Sequence, residues 1–237
     1  MKKVALLSLF ALVFGVFAVA QCPVESGYTC MFYAGDLNLS DPNQNGLANE
    51  NDATVGGSPY GAATFQNFNW AGGTVTGLAT NNLSGLNPTT AYWEIRSGVS
   101  EGNGGTLIAS GTGATSNQAT GRSDFGYNEY TNFVGNLSVN LGAGSYWMSV
   151  VPQDVNSANR SYNSNTDGTN GVGSYTANNQ YFDSAFFGAN FTNANSQGVF
   201  PGFSQAAYGT VPEPSSLIML GSGLVGVAGV IRRRMGR

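Results

Sequence analysis

Residues 91–96 read Ala91-Tyr92-Trp93-Glu94-Ile95-Arg96, and their alternation decides the fold class. In an extended strand successive side chains point to opposite faces, so Trp93 and Ile95 share one face while Glu94 and Arg96 share the other. That pattern predicts Glu94 in solvent beside Arg96. The period of two returns where Leu137, Val139 and Leu141 alternate with Ser138 and Asn140, and Ser145-Tyr146-Trp147-Met148-Ser149-Val150-Val151 follows. Between these runs Gly142-Ala143-Gly144 predicts a hairpin, because glycine supplies the positive φ of a tight turn. Further strands are predicted at 73–78, 106–110 and 130–134, with a strand or strand pair at 180–189. Residues 202–210 are either a last strand or a linker. No stretch of the body repeats apolar residues at three and four over three turns, which disfavours a helical domain. Short alternating runs separated by breakers predict an all-β fold, an antiparallel β-sandwich over residues 21–210.

Charge is distributed unevenly along the 237 residues. Lys2, Lys3, Arg232, Arg233, Arg234 and Arg237 lie at the ends, leaving residues 21–210 with only Arg96, Arg122 and Arg160 against twelve acids, a net of −9. Phosphate backbones need clustered cations, so a nucleic-acid partner is excluded. Histidine is absent. Ser-His-Asp and Cys-His catalytic sets and histidine-ligated zinc are therefore unavailable.

The ends carry the strongest signals. Lys2-Lys3 precede an apolar run from Val4 to Ala20 whose Ala18-Val19-Ala20 ending is a small-x-small cleavage pattern, which predicts a signal helix over 1–20 removed between Ala20 and Gln21 by signal peptidase. A retained membrane anchor is the alternative. At the other end Val211-Pro212-Glu213-Pro214 precedes Ser215 to Ile231, an uncharged run of a length that barely crosses a bilayer, and Arg232-Arg233-Arg234 follow. The arginines stay on the cytoplasmic side, placing the body outside and the inner membrane as a transient partner. Prolines on both sides of Glu213 hold that segment extended.

This tail, residues 211–237 with its motif at 211–214, its transmembrane helix at 215–231 and its basic end at 232–237, resembles the PEP-CTERM sorting signal. The resemblance implies an exosortase-type peptidase as partner, with Pro212, Glu213 and Pro214 as its recognition element and Arg232, Arg233 and Arg234 as the membrane-stop cluster. It also implies a destination at the cell surface or extracellular matrix and a link to exopolysaccharide and biofilm. The runs around Trp93 and Trp147 resemble the jelly-roll-like β-sandwiches that precede such tails.

Inside the body, Cys22 and Cys30 are the only cysteines, and after export they most simply close one small disulfide loop. Lipidation of Cys22 is the alternative, disfavoured by Gln21 where a small residue is needed. Asp41, Asn43, Asn45, Gly46 and Asp52 have the D-x-N-x-N-G spacing with an acid at the twelfth place, which makes Ca²⁺ the one candidate cofactor. An Asn/Gly-rich turn explains the same residues. Asn163, Asn165, Asp167 and Gly168 repeat the spacing with a single carboxylate.

Carboxylates for glycoside hydrolysis could come from Glu94, Glu101, Asp124 and Glu129, and sugar-stacking aromatics from Trp70, Tyr92, Tyr127 and Tyr130. The leading expectation is a non-catalytic exported envelope or matrix protein. A calcium-dependent carbohydrate-binding module and a polysaccharide-active hydrolase are the rivals.

Overall fold

The computed structural model describes residues 22–40, 46–51, 60–154, 160–198 and 201–210. The expected signal helix over 1–20 and transmembrane helix over 215–231 lie outside them. Among the described residues no helix is long and apolar enough to cross a membrane.

The body is built of antiparallel strands, with a short 3-10 turn at Ala194–Gln197. Its strands are β1 (Cys30–Tyr33), β2 (Leu47–Ala48), β3 (Ala63–Ser84), β4 (Thr90–Ser97), β5 (Thr106–Asp124), β6 (Tyr127–Val134), β7 (Val139–Gln153), β8 (Ser161–Asn163), β9 (Asn165–Thr166), β10 (Tyr181–Ser184), β11 (Ala189–Asn193), β12 (Gly202–Phe203) and β13 (Gln205–Thr210). Eleven of them form one sheet with the main order β1-β13-β3-β6-β5-β4-β7, and β12 pairs with β9 separately. A second pairing, between β7 and β3, closes the path into a ring.

One strand organises this closure. β3 has 22 residues, and fully extended it would span about 70 Å, too long for a single layer of a domain this size. It pairs with β7 from Gln66 to Val75 and with β6 from Leu78 to Ser84. Its two ends nevertheless meet. Buried Asn49 accepts from the Thr64 N–H at 3.3 Å and donates to Asn82 Oδ1 at 3.4 Å, and Gln205, opposite Thr80, donates to Thr64 Oγ1 at 3.0 Å. β3 therefore doubles back near its middle. Gly72 and Gly73 lie there with φ of 99° and 116°, a region that residues with a Cβ rarely enter. Each arm of β3 supplies one layer, and the two layers make the sandwich.

Between the layers lie Phe68, Trp70, Leu78, Trp93, Ile95 and Met148. Each such fully buried side chain contributes roughly 1.5–3 kcal/mol of transfer free energy. β4 is covered on its other face as well, where Tyr92 packs with Phe65, Trp147, Val151, Tyr181 and Phe191. β13 follows the same rule, with Ala207 facing the first cluster and Ala206 and Tyr208 facing Tyr33, Ala79 and Phe133.

Two sequence expectations fail here. Gly142-Ala143-Gly144 do not form a hairpin: residues 139–153 are one strand, with Leu141 opposite Gly73 and Gly144 opposite Trp70. None of the three has the positive φ of a hairpin turn. They run beside the bend of β3, where small residues let the two strands curve together. Glu94 does not face solvent, because the covered outer face of β4 buries it completely.

Candidate functional site

The described chain ends with β13, and that end is tightly held. Thr210 pairs with Thr74 at the bend of β3, and Gly209 donates its N–H to Thr29 O at 2.9 Å. Cys30 lies opposite Tyr208 and is joined by a disulfide to Cys22, with the Cα atoms 6.3 Å apart. Tyr208 closes this clasp. Its hydroxyl donates to Pro23 O at 2.8 Å, and its ring meets Phe133 edge-on at 5.1 Å. Burial pushes the Tyr208 phenol well above its ordinary range, helped by the nearby charge of Glu25. A cleft of about 390 Å³ lies beside the exit, lined by Tyr28, Thr76, Asn136, Leu137, Gly209 and Thr210 among others.

The three arginines of the body all hold buried glutamates. Arg96 Nε lies 3.1 Å from Glu94 Oε1, Arg122 Nε 2.5 Å from Glu129 Oε2, and Arg160 Nη2 2.5 Å from Glu50 Oε1, and each glutamate side chain is fully buried. Arg122 also reaches Asp36 Oδ1 at 2.9 Å. Around it runs a hydrogen-bonded chain: Tyr33 donates to Asp36 at 2.6 Å, Asn81 donates to the Tyr33 hydroxyl at 3.0 Å, and Thr131 donates to Asn81 at 2.6 Å. Burial, and then the bond to Asp36, push the Tyr33 phenol far up. Asp36, Arg122, Thr120, Gln118 and Pro23 help line a second cleft, of about 310 Å³.

The carboxylates considered for hydrolysis are not gathered. Glu94 lies opposite Ser110 of β5, whereas Glu129 accepts from Thr120 Oγ1 at 2.7 Å. Glu94 is held by Arg96 and Tyr92 and Glu129 by Arg122 and Thr120, so the two carboxylates share no partner. Glu101 accepts from the Asn193 N–H at 2.7 Å, and Asp124 from the Phe125 N–H at 2.9 Å.

Of the aromatics proposed for stacking, Trp70 and Tyr92 are buried, while Tyr127 and Tyr130 are half-buried. Phe125, Phe186 and Phe187 are exposed instead. Sequence reasoning passed over them because a hairpin tip shows no periodicity.

Asp41, Asn43, Asn45 and Asp52 lie outside the described residues. Between them Leu47–Ala48 pair with β8, and Asn49 and Glu50 turn into the core. In the second calcium-like stretch Asn163 donates to Thr80 and Asn82, and hydrogen bonds from the Thr169 side chain and then from the Thr169 N–H, at 2.9 Å, lower the Asp167 pKa. Ala20, Gln21, the motif Pro212-Glu213-Pro214 and Arg232 to Arg234 also lie outside the described residues.

The fold and its short C-terminal exit define an all-β body joined directly to a tail. That tail, residues 210–234, matches the family model of the PEP-CTERM protein-sorting motif. The match begins at Thr210, the last residue of β13. A motif of this kind implies processing by an exosortase-type peptidase and marks a protein as exported and sorted to the cell surface or extracellular space. No curated protein and no solved structure matches the chain.

Proposed function

We propose that the protein is a non-catalytic component of the cell surface or extracellular matrix, associated with exopolysaccharide in a biofilm. In this reading signal peptidase cuts between Ala20 and Gln21, residues 215–231 tether the chain briefly to the inner membrane with Arg232, Arg233 and Arg234 inside, and an exosortase-type peptidase acts at Pro212, Glu213 and Pro214. The observation that carries it is the direct junction of a folded β body to the sorting motif at Thr210. The burial of Glu94 and Glu129 against arginines supports a binding or structural role over hydrolysis.

Replacing Pro212, Glu213 and Pro214 together by Ala should leave a full-length species in the inner-membrane fraction, while the natural sequence chases to a shorter surface form. Unchanged processing of the variant, seen by pulse-chase and fractionation, would overturn the reading.

We also propose Ca²⁺ as a ligand of Asp41, Asn43, Asn45 and Asp52, on their spacing alone. Titration calorimetry with CaCl2 should show binding that Asp41→Ala removes, and an absence of heat at millimolar calcium would reject the site.

A further inference from the structure

The β5–β6 turn breaks a local rule. It runs Asp124-Phe125-Gly126-Tyr127, with φ of 52° at Phe125 and 81° at Gly126. Two-residue hairpin turns with positive φ at both positions favour Asn or Asp followed by Gly, and a side chain such as Phe is strained there. Burial does not compensate, because Phe125 is 41% exposed. An exposed ring held in a strained conformation is the kind of outlier that functional surfaces keep.

Phe125 has aromatic neighbours. A Cβ placed on Gly46 would lie 3.0 Å from Tyr162 Cβ and 3.9 Å from a ring carbon of Phe125, so the two rings flank one glycine. Tyr162 meets Tyr127 at 5.8 Å between centroids. The Arg160 guanidinium lies 5.8 Å from the Tyr162 ring and 5.8 Å from the Phe187 ring, and Phe186 meets Phe187 at 4.9 Å. Phe186 and Phe187 are 56% and 48% exposed. Three separate elements, the β5–β6 turn, β8 and the β10–β11 turn, thus bring these side chains into one strip.

We propose that this strip is a stacking surface for a neutral polysaccharide. Aromatic faces carry negative quadrupole density that attracts the polarised C–H bonds of a sugar ring, while Tyr127, Tyr162 and Arg160 add polar groups for its hydroxyls. Charge selects the class of glycan. Arg160 is matched by buried Glu50 and Asp124 adds a carboxylate at the turn, so the strip offers no surplus of positive charge within a body of net charge −9, and a polyanion would be repelled. Placement agrees: β8 pairs with Asn82 to Ser84 and β10 with Ala63 to Phe65, the two ends of β3, whereas the sorting tail leaves at its bend beside Thr74. About 30 Å of strand separates exit from strip, so the strip faces away from the tether. The proposal rests on the surface destination proposed above.

The test is electrophoretic mobility of the purified mature protein in native gels containing dextran, hydroxyethyl cellulose or galactomannan, with alginate as the polyanion. At least one neutral gel should retard it. Phe125→Asn should weaken that retardation tenfold or more while raising the thermal midpoint by about 2 °C, because Asn suits the turn better. Phe187→Ser should weaken retardation with little change in the midpoint. No retardation in any neutral gel, retardation by alginate alone, or unchanged retardation of both variants would overturn the proposal. So would self-association abolished by Phe125→Asn, which would make the strip a contact between copies. Because the assay needs no export, its failure is separable from failure of the processing experiment.

Discussion

Replacing Arg122 by Met is expected to destabilise the body by about 3–5 kcal/mol, the cost of leaving a buried carboxylate without its partner. The magnitude follows from what remains behind. Glu129 is fully buried and sits 2.5 Å from the Arg122 Nε, and Asp36 would lose the same cation. Thr120 would still donate to Glu129, but one neutral hydroxyl does not offset a stranded charge. Folded domains have only about 5–15 kcal/mol in hand, so the midpoint of urea unfolding should fall steeply. The pairing argument makes a second demand. Arg122→Met combined with Glu129→Gln should recover much of the loss, because the buried charge goes with its partner. A double variant as unstable as the single one would show that Arg122 acts through packing.

Asn82→Leu should cost about 3 kcal/mol or more, an effect far larger than its volume change suggests. The Asn82 side chain donates to Ser161 Oγ at 2.7 Å and to Asn49 O at 3.2 Å, while its Oδ1 accepts from Thr80 at 2.7 Å and Asn163 at 3.2 Å. A leucine fills the space and satisfies none of these groups, and each stranded buried partner costs about 1–3 kcal/mol. Asn82 also helps hold the two arms of β3 together through Asn49. Hydrogen exchange should therefore show Thr64 to Gln66 and Thr80 to Asn82 losing protection together, and equal loss across the whole sheet would argue against a local seam.

That seam explains what the sequence concealed. Trp93, Ile95, Leu141 and Val150 announce their strands because a half-apolar pattern is easily read, and all four face the core. The predicted strand stops at residue 78, short of Asn81-Asn82, and Asn163 and Asn165 belong to the second calcium-like stretch, yet Asn81, Asn82 and residues 163–166 are buried and close the sandwich. Asn favours turns because its side chain bonds locally, but here the side chains of Asn81, Asn82 and Asn163 bond across strands. Residues 115–124 of β5 show no apolar alternation and extend the strand because β6 supplies a partner ladder. Glu94 misled for a different reason. Alternation separates the faces of β4 but cannot say whether the second face will be covered, and β10 and β11 lie far along the chain. The sorting motif was legible in full, since Pro-Glu-Pro, an apolar run and arginines are a local pattern. The aromatic strip was not, because Phe125, Tyr162 and Phe187 meet only after two hairpins have closed and β8 has docked on β3.

The position of the last strand orders events in time. β13 lies between β1 and β3, so the first and last strands of the body are neighbours and the central sheet has a gap until both are present. Pairings this distant in sequence form slowly. A chain delivered from its N-terminus cannot complete its core until Tyr208 has arrived, by which point the sorting motif is next to emerge. Maturation of the body and presentation of its tail are thereby made nearly simultaneous, and a chain truncated before β13 would reach the far side of the membrane without the means to finish folding.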